Sequence, residues 1–357
     1  MQLATVRLQD VLRRIVSVAA VGAVIMLGGT PAPADVPENA RASAVAAARP
    51  GSTLRDAARA EHRYRIIGKL RFGLFSITRD GVGSARMAWQ SDGSSSVLTL
   101  LVGSDPQRAP QNLNQWGYLR EEVRASDEAD VFSLRSLDDD EVAPDGARAV
   151  ADGSRFGVSC ASLNALDVTD AQTTVQARGL TYRMLNQLLD TVSDKSTWKE
   201  RHSRRPAGSD AGFLTALQHA IRQIGSGGAK ARPSVTYVYN GTVYDLTVRD
   251  SESLGHTAVG DRTFEQLTRS DFAIRSRASG NVTKFAATYV PDRTGAWLPV
   301  QIFYRPTFWL SVELRLDDNA DVPVDADADG SVLPRIRAIC ASLPRHAVSL
   351  QGSASSR

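Results

Sequence analysis

The stretch from about residue 234 to 317 most constrains the fold, because its apolar residues recur every second position. Val235, Tyr237 and Tyr239 share one strand face, Asn240-Gly241 makes a turn, and Tyr244, Leu246 and Val248 return. A two-residue Asn-Gly link is the strongest short-range hairpin signal, since both positions of that turn need positive φ. Phe285, Ala287 and Tyr289 line a further strand, and Val300, Ile302 and Tyr304 lead to a turn at Arg305-Pro306-Thr307. Phe308, Leu310, Val312, Leu314 and Leu316 then alternate with Trp309, Ser311, Glu313, Arg315 and Asp317. A period of two over that length predicts strands with one dry and one wet face, paired antiparallel.

The same grammar opens the chain's first half. Tyr64–Ile67, Arg71–Thr78, Ser84–Trp89 and Ser96–Val102 are separated by turns at Arg79–Gly83 and Ser91-Asp92-Gly93. Val131–Arg135 and Arg155–Cys160 are further strands, with the acidic run Asp138–Glu141 a solvated loop between them. Two amphipathic helices interrupt the pattern. Thr181 to Val192 places Tyr182, Leu185, Leu188, Leu189 and Val192 on one face. Ser209 to Ile224 does the same with Phe213, Leu214, Leu217, Ala220, Ile221 and Ile224, with a Ser or Asp cap before it and Gly225 after it. Lys199–Arg205 between them reads as a basic loop, either simply solvated or able to meet anionic lipid headgroups or a polyanionic wall component. A short terminal helix over 333–342 carries Ile336, Ile339 and Cys340. The expected fold class is mainly β (α+β): one curved antiparallel sheet or half-barrel with two or three packed helices. It occupies a single domain over 61–345, with first strands 61–165, helical section 180–225 and second strands 234–317.

The N-terminus reads as an address. Arg7, Arg13 and Arg14 precede an uncharged run from Ile15 to Leu27, too short for a comfortable membrane span. Ala32-Pro33-Ala34 supplies a small-x-small cleavage pattern, so 1–34 is a secretory signal peptide cut after Ala34; an uncleaved anchor is the alternative. Residues 35–60 are a linker and 346–357 a solvated tail. Cleavage takes the balance from 42 basic and 39 acidic residues to 39 and 38, because three arginines and Asp10 leave. With no positive field left, a nucleic-acid partner loses its electrostatic basis. The expected location is periplasmic or secreted, with membrane contact only through the signal. In an oxidising compartment Cys160 and Cys340 are either bridged or free thiols.

The segment Ser209–Leu316 resembles the C-terminal part of a family of bacterial periplasmic domains of unknown function. Its pattern appears here as Phe213–Ile224, Tyr239–Tyr244, Lys284-Phe285, Leu298-Pro299-Val300 and Val312-Glu313-Leu314, with 60–102 a weaker match to the opening strands. The family is similar to the lipoprotein carriers LolA and LolB, whose curved open sheet holds acyl chains. The resemblance implies a half-barrel and lipid handling, and it carries over no catalytic residue.

No nucleophile elbow of the Gly-x-Ser-x-Gly type occurs, and the five histidines (His62, His202, His219, His256, His346) are scattered singly. Asp325-Ala-Asp327-Ala-Asp329-Gly330 opens like a calcium loop, but Ile336 stands where the bidentate glutamate belongs; an acidic turn is the competing reading. Tyr237, Tyr239, Tyr244, Phe285, Tyr289, Tyr304 and Phe308 either line an apolar concavity for an acyl ligand or form core beneath the helices. The sequence therefore points to a non-enzymatic protein of the cell envelope that binds an apolar or lipid-like ligand and needs no cofactor. A structural module docking other envelope proteins through its sheet edge is the second reading, and an uncharacterised enzyme the third.

Overall fold

A computed structural model describes residues 58–72, 75–109, 113–137, 155–193, 197–227, 231–290, 298–307, 310–320 and 332–341. The signal peptide, nearly all of the linker, the tail, Asp325, Asp327, Asp329 and Phe308 lie outside them.

The strands are β1 (Ala58–Phe72), β2 (Phe75–Ser91), β3 (Ser95–Ser104), β4 (Trp116–Arg124), β5 (Ala129–Ser136), β6 (Arg155–Leu163), β7 (Asp167–Gln176) and β8 (Lys199–Arg204) in the first half. The second half contributes β9 (Ser234–Tyr239), β10 (Thr242–Val259), β11 (Arg262–Ser276), β12 (Val282–Tyr289), β13 (Pro299–Thr307) and β14 (Leu310–Leu316). The helices are α1 (Leu185–Ser193), entered through a 3-10 turn at Tyr182–Met184, α2 (Phe213–Gly227) and α3 (Val332–Ala341).

All fourteen strands form one antiparallel sheet in the order β8-β7-β6-β5-β4-β3-β2-β1-β14-β13-β12-β11-β10-β9. Two local meanders are thus joined at a central β1–β14 seam, where Tyr64 faces Leu316 and Leu70 faces Leu310. The sheet remains open but curls strongly. The Asn240-Gly241 tip of the β9–β10 hairpin reaches the inner face of β5–β7, where Asn240 Oδ1 accepts from Ser159 Oγ (2.7 Å) and its carbonyl from Gln172 Nε2 (3.1 Å). Asn240 and Gly241 sit at φ 49° and 67°, as this turn requires, and a Cβ on Gly241 would stand 3.2 Å from Arg201 and Asp170.

Strands β3–β7 split their side chains between two packing layers. On β3, Leu100 and Val102 point inward, whereas Leu101 points outward. The inner layer buries α2, whose Phe213, Leu214, Ala216, Leu217, Ala220, Ile221 and Ile224 are all at most 4% exposed. The outer layer, over β3–β7, is covered by α1 and α3 through Leu188, Leu189, Val332, Ile336 and Ile339. A disulfide joins Cys160 of β6 to Cys340 of α3 and ties that helix to the sheet.

Several expectations need correcting. The turns placed at Arg79–Gly83 and Arg305–Thr307 lie inside β2 and β13, and the expected strand Arg71–Thr78 is divided between β1, which ends at Phe72, and β2, which begins at Phe75. Lys199–Arg205 is not a loop: Lys199–Arg204 form edge strand β8, paired with β7 through backbone bonds that its polar sequence does not announce. Arg205 is buried, donating to the carbonyls of Asp127, Asn164 and Ser209. The N-terminus of α2 is not capped by its own Ser or Asp. Glu121, projecting from β4, accepts from the backbone N–H of Leu214 and Thr215, both at 2.8 Å, and from the Thr215 hydroxyl at 2.5 Å. The linker also ends earlier than 60, because β1 begins at Ala58.

Candidate functional site

The residues expected to line a concavity are core. Tyr237, Tyr239, Tyr244, Phe285 and Tyr289 are each 0–8% exposed. Phe213 of α2 lies 6.1 Å from both Tyr237 and Phe285, Tyr237 stacks on Tyr244 at 5.4 Å, and Phe272 stacks on Phe285 at 5.0 Å. Tyr304 is only partly buried against this cluster. Helix α2 therefore occupies the volume that an acyl chain would need, and the stacked rings bury the sheet's inner face against it.

The inner layer also holds two displaced carboxyl groups. Burial pushes Glu121 up to about 7, although the bonds from Thr215 and Leu214 pull the other way. Burial likewise raises Asp170 to about 6, against the opposing hydrogen bond from Gln172 and the charge of Arg201. Both support packing contacts: Glu121 anchors α2, and Asp170 stands beside the β9–β10 turn. Among the described residues, no three of His, Cys, Asp and Glu converge as metal ligands. His219 rests on Asp210 at 3.0 Å, which raises its pKa, and His62 contacts the Pro299 carbonyl.

Chemistry converges instead on the outer face of β1–β4. A cleft of about 420 Å3 opens there, in the size range of ligand pockets. Cross-strand register assembles it: Ala88 faces Thr99, and Thr99 faces Arg120; in the next row Gln90 faces Val97, and Val97 faces Glu122. Leu333, Pro334 and Arg337 of α3 close one side. The side chains of Arg86 and Arg120 are only 4% and 9% exposed, whereas those of Arg59 and Arg337 stand at the rim, mostly in solvent. Arg86 bonds Glu61 at 3.0 Å and Arg120 bonds Glu122 at 2.8 Å. Partial burial works against ionised Glu61, but the bonds from Arg86, Arg59 and Arg63 outweigh it and hold its pKa down at about 2.

A second surface feature is the end of the β1–β2 hairpin. Phe75 is 79% and Ile77 53% exposed, and every residue from Phe75 to Asp80 faces solvent. Ile77 pairs with Leu70 and shares its face with Phe75, so the sheet's apolar inner face continues past the core into solvent.

Neither feature is legible in the sequence. The four cleft arginines are widely separated and belong to three strands and a helix, so only strand register brings them together. Phe75 and Ile77 were legible as strand residues; that they project beyond the core depends on where β1 and β2 leave the sheet.

No family model matches the chain, and the curated proteins contain no match to it. Among solved structures it is similar to the beta-barrel-like protein of domain of unknown function DUF1849 from Brucella abortus. The identity is 10% and the TM-score 0.31, over 72% of this chain and 95% of that one. The resemblance to the lipoprotein carriers LolA and LolB is not among the likenesses found.

Proposed function

We propose that the chain is a non-enzymatic protein of the periplasmic or secreted space that meets lipid at its surface rather than carrying an acyl chain inside. One observation carries this reading: Phe75 and Ile77 are presented to solvent on a protruding hairpin. Exposed Arg71 and Arg79 stand on the same hairpin, and neither makes an ion pair among the described residues. An apolar tip with basic flanks complements an anionic bilayer surface. Burying the two side chains contributes about 2 kcal/mol each, and each basic residue near such a surface about 1 kcal/mol. The sum is weak, reversible attachment. The Cys160–Cys340 bridge supports an oxidising location.

Docking through the sheet edge is less well supported. β8 exposes Lys199, Arg201, His202 and Arg204, charges that oppose an added strand, and β9 already bridges Asp210 through Tyr237.

Vesicle co-sedimentation tests the proposal. The protein is expected to pellet with phosphatidylglycerol vesicles and not with phosphatidylcholine ones, and F75D/I77D to remain in the supernatant. Equal sedimentation of that variant, or none of the wild type, would overturn it.

A further inference from the structure

The outer cleft carries an inference independent of the hairpin. We infer that it is a binding site for a phosphorylated sugar. Its lining holds four arginines, Arg59, Arg86, Arg120 and Arg337, against two carboxylates, Asp92 and Glu122. Asp92 is turned into its own loop, accepting from the backbone N–H groups of Ser94 and Ser95 at 2.9 and 2.8 Å. With Glu61, which bonds Arg59 and Arg86, counted as a third carboxylate, the balance of four arginines to three carboxylates is still positive and favours an anion.

The arginines do different work. Arg86 and Arg120 lie almost fully buried against the sheet and are steadied by Glu61 and Glu122, so their guanidinium groups are held before any ligand arrives. Arg59 and Arg337 flank the opening from β1 and α3, held there by Glu61 and Glu122, with most of each side chain in solvent and able to donate to a ligand. A planar guanidinium with several N–H donors matches phosphate oxygens in a way a point charge does not.

The remaining surface explains why a bare anion is too small. A volume of about 420 Å3 exceeds the needs of inorganic phosphate. Gln90, Ser95 and Thr99 offer neutral amide and hydroxyl groups suited to sugar hydroxyls, while Ala88, Val97 and Pro334 give an apolar wall for a ring face. The site also depends on α3, which the Cys160–Cys340 bridge ties to β6.

Calorimetric titration of the full chain with glucose 6-phosphate, glucose, inorganic phosphate and citrate tests this. Glucose 6-phosphate is expected to bind at least about tenfold tighter than the other three. R59Q/R337Q removes two rim arginines whose partners, Glu61 and Glu122, keep Arg86 and Arg120 on them, so the fold is expected to persist by circular dichroism while affinity falls by about tenfold or more. F75D/I77D is expected to bind as the wild type does, which separates this site from the lipid-facing hairpin. Absence of heat with glucose 6-phosphate would overturn the inference. So would equal binding of glucose, phosphate or citrate, or unchanged affinity in R59Q/R337Q.

Discussion

Raising the pH from about 5 to about 8 is expected to weaken the fold through one carboxyl group, Glu121. The side chain is fully buried and, among the described residues, has no cation on it; its partners are two backbone N–H groups and the Thr215 hydroxyl at the start of α2. Burial lifts its pKa from 4.5 to about 7. Between those values the folded protein holds a proton that the unfolded chain has released. Stability is therefore greatest below about 4.5 and falls as pH rises to about 7, after which this contribution is flat. At about 1.4 kcal/mol for each unit of pKa displacement, the loss is about 3 kcal/mol. Asp170, raised to about 6, and His219, raised by Asp210, act in the same direction, so the wild-type slope alone does not isolate Glu121. The difference between wild type and Glu121→Gln does. Urea unfolding at about pH 5, 6, 7 and 8, followed by circular dichroism, is expected to show a clearly shallower decline in the variant. Parallel curves for the two proteins, or wild-type stability rising over this interval, would refute the reasoning.

Two further outcomes follow from the packing. Ile221→Ala, at a fully buried position on α2 within the curled sheet, is expected to cost about 2–5 kcal/mol, read from the same denaturant midpoints; a cost near zero would mean that α2 is not a structural filling. Replacing Cys160 and Cys340 with alanine opens a loop spanning 180 positions and is expected to lower stability by up to about 5 kcal/mol. Hydrogen exchange is expected to quicken first in α3, and uniform protection there would contradict the role of the bridge in tethering that helix.

The legible part of this fold is the part in which apolar spacing and burial agree. The Asn240-Gly241 hairpin, the alternation along β14 and the apolar stripes of α1 and α2 all appear in the structure. What escaped notice lies where a strand's sequence is polar. β7 reads Asp-Val-Thr-Asp-Ala-Gln-Thr-Thr-Val-Gln, and β8 reads Lys-Glu-Arg-His-Ser-Arg; their pairing comes from backbone groups supplied by neighbours. β4 is the instructive case. Its run Arg120-Glu121-Glu122 looks like solvated surface, yet Glu121 turns inward to hold a helix while Arg120 and Glu122 turn outward into the cleft. The aromatic residues were recognisable as an apolar set, but deciding between container and contents required knowing where α2 lies.

The central seam has a consequence for biogenesis. Arg65 of β1 donates to Asp317, 252 positions on and directly after β14, so the middle of the sheet unites segments made near the start and the end of synthesis. Each meander can zip up from nearest neighbours, whereas the join must wait for β14 and bears the entropy of closing a very long loop. Until then β1 presents a bare row of amides and carbonyls in what will become the sheet's centre, with Tyr64, Ile66 and Leu70 along one face of it. A chain truncated before β14 would keep that row permanently, and aggregation through it is the failure to expect from such a product.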